Sequence, residues 1–335
     1  MQKIYFITNR NPNNINKPTG FGRYFNPDGM ACLRFGSAQK KAAKITISTA
    51  AEKLQINAAG TAEDSEYCRY GSQQVFAELQ KSMREQQRDT LIFVHGYNHS
   101  FRDSLRNGFE LAKQFPEMNI VVFSWPSDGS MLPWLAYSND RHDAAASGPA
   151  LARGLLKLTD YLCDVSKDTD CGQRIHLLAH SMGAYVLRHS LQYYRSQTAR
   201  LSRILEQIIL IAADEDSDAF EFDYKLKTLP QLGEKVSVYY NRQDRVMALS
   251  DLSKGNPERL GQAGLQLPFN VPAKVCQIDC SRVVSGIVEH NYYRENQWVI
   301  ADLQAVLAGE DAGEISNRYF QQDLHSFVLK KSKKS

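Results

Sequence analysis

Ile175-His176-Leu177-Leu178-Ala179-His180-Ser181-Met182-Gly183 runs from a β-rich apolar segment straight into a helical pattern that begins at Met182, with a serine at the junction. Small residues two before and two after the serine, Ala179 and Gly183, let the backbone turn sharply from strand to helix, and that turn lifts the Ser181 hydroxyl above the carboxyl edge of a sheet. Glycine is the commoner residue at the first small position, so Ala179 departs from the pattern by one methyl group. The competing reading is a serine that merely caps a helix. A strand before it and a helix after it favour the nucleophile.

Outward from this turn, short apolar runs alternate with longer helical patterns, as in parallel strands joined by helical crossovers. The runs are Thr90–Val94, Ile120–Phe123, Ile175–Leu178, Ile208–Ile211, Val236–Tyr240 and Val275–Ile278. Most are continuously hydrophobic, which suits strands covered on both faces. Helices are expected at about 73–85, 102–115, 143–166, 182–196 and 291–308 from apolar recurrence at three and four residues. Ile4–Ile7 and Ile45–Ile47 read as antiparallel edge strands, with long loops between them. The whole resembles the α/β-hydrolase fold, an α/β architecture with a mostly parallel, doubly wound sheet. Residues 88–310 would form its core, 1–87 the edge strands and loops of the same domain, and 311–335 a C-terminal extension.

A serine is a weak nucleophile until a base takes its proton, and in this fold an acid and then a histidine follow it along the chain. His290 comes after the last expected strand and opens a helix, where the base belongs. His325 lies near the C-terminus among polar residues and reads as a surface histidine, and His189 falls inside the helix after the serine. Two acids compete: Asp244, just past the strand 236–240, and Asp214, after the strand before it. The usual loop position favours Asp244, with Asp214 as the alternative. The oxyanion needs preorganised N–H donors, and these positions fall to Met182 and, after the strand 90–94, to Tyr97. His95 and His99 stand four apart, but Gly96 and Asn98 between them indicate a loop rather than a metal-bearing helix. The chemistry requires no cofactor and no metal.

Three runs in order, Phe93-Val94-His95-Gly96-Tyr97-Asn98, Phe123-Ser124-Trp125-Pro126-Ser127-Asp128-Gly129 and Leu178-Ala179-His180-Ser181-Met182-Gly183, resemble bacterial α/β hydrolases catalogued as a domain of unknown function. The similarity extends from about residue 85 to 305, and Ala179 is ordinary in that family. It implies a triad of Ser181, Asp244 and His290 and a lipase- or esterase-like ancestry, without a substrate.

Composition narrows the partners. A formal net charge of +3 from nearly equal acidic and basic totals gives no field for nucleic acid. No run reaches the roughly 18 apolar residues needed to cross a bilayer. The N-terminal apolar run is too short for a signal peptide, and the six cysteines lack a CxxC pair, so a cytoplasmic location is expected. The segment 126–142, with turn residues and aromatics, is expected as a lid. Trp125, Trp134 and Tyr137 would line an apolar acyl pocket, although they could equally pack a long loop onto helices. Phe327, Val328 and Leu329 beside the terminal lysines form a candidate peripheral contact with anionic lipid. The expected activity is cleavage of a small-molecule or lipid-like carboxylic ester, or a thioester. The alternatives are a catalytically silent binding protein on the same fold, or an amidase or peptidase.

Overall fold

The structure, a computed structural model, describes residues 2–27, 33–50, 71–127, 133–166, 172–198, 201–244, 246, 258–284 and 290–331. The chain divides into two compact units, Met1–Arg174 and Ile175–Ser335.

In the first unit, strands β1 (Gln2–Thr8), β2 (Arg34–Lys41), β3 (Lys44–Thr49), β4 (Asp89–Val94) and β5 (Met118–Ser124) lie in the order β4-β5-β1-β2-β3. The pairs β4–β5 and β5–β1 are parallel, and β1–β2 and β2–β3 are antiparallel. Continuous burial of Leu91–Val94 and Ile120–Phe123 matches their unbroken apolar sequence. β3 alternates exposed and half-buried residues, as a polar edge strand does. Helix α1 (Gly71–Gln86) buries Val75, Phe76, Leu79 and Met83 at helical spacing. Helix α2 (Phe101–Gln114) starts at Ser100, which with Asp103 forms a reciprocal capping box that satisfies two orphan amides.

Helix α3 (Pro133–Ser166) starts ten residues earlier than its periodicity predicts. Pro133 stands first, where a missing N–H costs nothing and the fixed φ suits a helix. Residues 133–142 of the expected lid are therefore helical turns rather than an irregular loop, while 128–132 lie outside the described residues.

The second unit orders its strands β10-β11-β9-β8-β7-β6, namely β6 (Ile175–His180), β7 (Leu205–Ile211), β8 (Gly233–Tyr240), β9 (Val275–Asp279), β10 (Arg318–Gln321) and β11 (Ser326–Leu329). All neighbours are parallel except the antiparallel β10–β11 edge. The two C-terminal strands went unread because each is four residues long and β11 finds its partner, β9, some fifty residues away in sequence. Val328, paired with β9, and Leu329, paired with β10, are buried, so they are not available to a lipid surface. Among the described residues no helix is long and apolar enough to cross a membrane.

Helix α4 (Gly183–Gln197) follows β6 directly and buries Ala184, Leu187 and Leu191 along one stripe. The single helix expected over 291–308 is broken into a turn at Tyr292–Glu295 and helix α5 (Gln297–Ala308). The break is local: Asn296 adopts extended backbone, and its side chain accepts from the amides of Trp298 and Val299 as an N-cap.

Candidate active site

Ser181 adopts φ +53°, a left-handed conformation that costs a residue with a Cβ on the order of 1–2 kcal/mol. Backbone bonds hold it there. Its N–H donates to the Ile211 carbonyl at 3.1 Å, and its own carbonyl accepts from the amides of Asp214 and Ala184, each at 3.0 Å. The end of β7 thus braces the turn between β6 and α4. Met182 is the helix N-cap residue, so its amide belongs to the set that has no acceptor within the helix. Small size at Ala179 and Gly183 matters here, since both are buried where the chain reverses.

The brace is itself packed from below. Gly261 donates its amide to Ala213 O at 2.9 Å, and a Cβ at this glycine would lie 2.3 Å from Ala212 C and 2.4 Å from Ala213 N. Those are backbone atoms and cannot step aside. Gly261→Ala should cost on the order of 3 kcal/mol or more, read as a fall in the urea midpoint. A midpoint equal to that of the parent would refute this packing.

His290 and Asp244 meet. The His290 Nδ1–H donates to Asp244 Oδ2 at 2.8 Å, and the carboxylate is fully buried, while the imidazole keeps slight exposure. The loop after β8 presents the acid through its own hydrogen bonds: the Asp244 amide donates to Asn241 O, and Oδ1 accepts from the Val246 amide, both at 3.0 Å. With Nδ1 donating, Nε2 is left as the acceptor that a general base requires.

Asp214 has other partners. It is buried with Arg259, whose Nε lies 3.6 Å from its Oδ1, and Arg259 also reaches Asp216 at 2.7 Å. Lys225 pairs with Asp216 and Asp218 in the same cluster. The acids after β7 are thus engaged with cations. His325 is exposed at φ +44° beside Phe269 and Phe320, and His189 lies against Tyr185.

In the first unit, Tyr97 sits in a loop whose carbonyls are tied down in succession. Trp125 Nε1–H donates to His95 O at 2.8 Å, His95 Nδ1–H to Gly96 O at 2.8 Å, His99 Nδ1–H to Tyr97 O at 2.7 Å, and Arg10 Nη2–H to His99 O at 2.6 Å. In a trans peptide the N–H opposes the carbonyl, so the Gly96 bond turns the Tyr97 amide away from the His95 ring. Burial above all, aided by nearby Arg10 and His99, holds the His95 pKa well below its usual value, which keeps its ring neutral. The Asn98 amide donates to Ser127 Oγ at 2.8 Å, and Ser127 in turn donates to Asp140.

Trp125 is corrected as a pocket residue. It is 0% exposed, bonded to His95 O and stacked on the His95 ring, so it belongs to the core under this loop. Tyr137 is half-buried and lies edge-on to Tyr97 at 5.9 Å. The side chain of Trp134 lies outside the described residues.

Three residues of the second unit lie in runs that resemble the family but take no role from sequence: Arg259, Tyr292 and His180. The buried Tyr292 hydroxyl accepts from the Ala212 amide at 3.1 Å and donates to Tyr239 O at 3.3 Å, joining the ends of β7 and β8. Burial keeps that phenol protonated, its pKa well above the ordinary range. Their contacts have no local signature, because every partner is distant in sequence.

Residues 72–308 match the family described as "Alpha/beta hydrolase of unknown function (DUF900)". An uncharacterised protein of Nostoc sp. is 30% identical over 151 residues, which cover 37% of this chain and 36% of that one. The chain thus matches about a third of that curated relative's length. Among solved structures, Aspergillus fumigatus lipase B is similar over 70% of this chain and 55% of its own, at 12% identity and a TM-score of 0.45. A candidate hydrolase of Agrobacterium vitis S4 is similar over 87% of this chain and 95% of its own, at 12% identity and a TM-score of 0.37.

Proposed function

The chain belongs to the α/β hydrolases of unknown function grouped as DUF900, and on that premise we propose that it is a serine hydrolase of carboxylic esters, thioesters included. The observation that carries the reading is the buried Asp244 carboxylate, 2.8 Å from His290 Nδ1, in the same unit as a serine held at φ +53°. Such an acid fixes the tautomer and stabilises the imidazolium that forms during turnover.

In the proposed cycle, His290 Nε2 accepts the Ser181 hydroxyl proton as Oγ attacks the ester carbonyl carbon. The tetrahedral oxyanion is held by the Met182 amide. His290 then delivers its proton to the leaving alkoxide or thiolate, giving an acyl-Ser181 and an alcohol or thiol. Water, deprotonated by the same imidazole, attacks the acyl carbon; the acyl–Oγ bond breaks, His290 returns the proton to Ser181 Oγ, and the acid is released.

A fluorophosphonate probe tests the assignment directly, because it phosphonylates only an activated serine. The expected result is one adduct per chain, which peptide mapping puts on Ser181. An unlabelled native chain, or an adduct on another residue, would refute the reading.

A further inference from the structure

His180 immediately precedes the nucleophile and is almost completely buried. Its Nε2 lies 3.1 Å from the backbone carbonyl of His290, 110 residues further on. A carbonyl can only accept, so Nε2 carries the hydrogen. The His180 ring packs against two others, with its centroid 4.7 Å from that of His290 and 4.6 Å from that of Tyr293.

A general base must be held at two points to be aimed. Asp244 holds the His290 ring through Nδ1, and this leaves the backbone of His290 to be located by something else. Resting on the serine-hydrolase reading above, we propose that His180 is the positioning residue that transmits the placement of the nucleophile to the base. His180 and Ser181 are consecutive, about 3.8 Å apart at Cα, so the bonds that brace the turn also brace His180. Its Nε2–H then fixes the His290 backbone relative to the serine, and its ring supports the imidazole face. Misplacement of a reacting group by about 1 Å can cost a hundredfold in rate, which is the margin such a tether protects.

Packing and hydrogen bonding make opposite demands at this position. His180→Phe keeps a ring against His290 and Tyr293 but loses the donor, whereas His180→Gln keeps an N–H near the position of Nε2 and loses the ring. If the donor matters, His180→Phe lowers kcat on a short-chain aryl ester roughly ten- to a hundredfold with KM within about twofold, and His180→Gln recovers most of the loss. Melting curves run alongside should show both variants folded, and the probe should still label Ser181 fully in His180→Phe, only more slowly. Wild-type kcat and labelling rate in a folded His180→Phe would overturn the tether while leaving the serine assignment intact. A native chain that takes up no probe would overturn both. Where His180→Phe does not fold, a His180→Gln variant slowed as much as His180→Ala overturns the proposal, and one restored relative to His180→Ala supports it.

Discussion

Ser181→Ala is expected to lower ester hydrolysis by about a millionfold and to abolish probe labelling, while the chain still melts cooperatively near the parent temperature. Both halves follow from the turn. In the proposed cycle the Ser181 oxygen is the attacking atom, and no water placed by chance replaces it. Alanine retains the Cβ, the positive φ and every backbone bond from Ile211, Asp214 and Ala184, so the brace is undisturbed. Turnover of the variant at even a hundredth of the parent rate would mean that another group attacks the ester.

Asp244→Asn separates the two candidate acids. The amide is close in shape to the carboxylate, but it can offer its N–H₂ to Nδ1 and so favour the wrong tautomer of His290; a fall of about ten-thousandfold in kcat is expected. Asp214→Ala should instead act on stability, by about 3 kcal/mol, because it takes a carboxylate from a buried Arg259. Urea unfolding and steady-state rates on the two variants give the decision. The assignment of the acid would be reversed by a near-native kcat in Asp244→Asn together with a collapse of kcat in a folded Asp214 variant.

Much of this site was readable along the chain. The continuous runs Leu91–Val94 and Ile208–Ile211 declare buried parallel strands because every residue meets a covered face. Ser181 is legible because the elbow is a local device, made within five residues. Of two acids after consecutive strands, loop position favours Asp244, and the structure adds its bond to His290 and the burial of Asp214 with Arg259. Trp125 stays open in sequence for a related reason: aromatic character signals burial or binding alike, and only the bond to His95 and the stacked ring tell which. The early start of α3 was hidden by Pro133, which looks like a helix breaker and stands in the one turn that tolerates it.

The sequence by itself determined the α/β class, the strand-to-helix turn that carries Ser181 and the candidates for base and acid, since each depends on residues adjacent in the chain or on strand order. Tertiary structure adds to the preference for Asp244 the hydrogen bond that joins it to His290, and it alone brings His180 to the backbone carbonyl of His290. The physical reason is range. A strand or a tight turn is specified by neighbours through φ, ψ and hydrophobic period, whereas a hydrogen bond between residues 46 or 110 apart exists only after the sheet has brought its strand ends together.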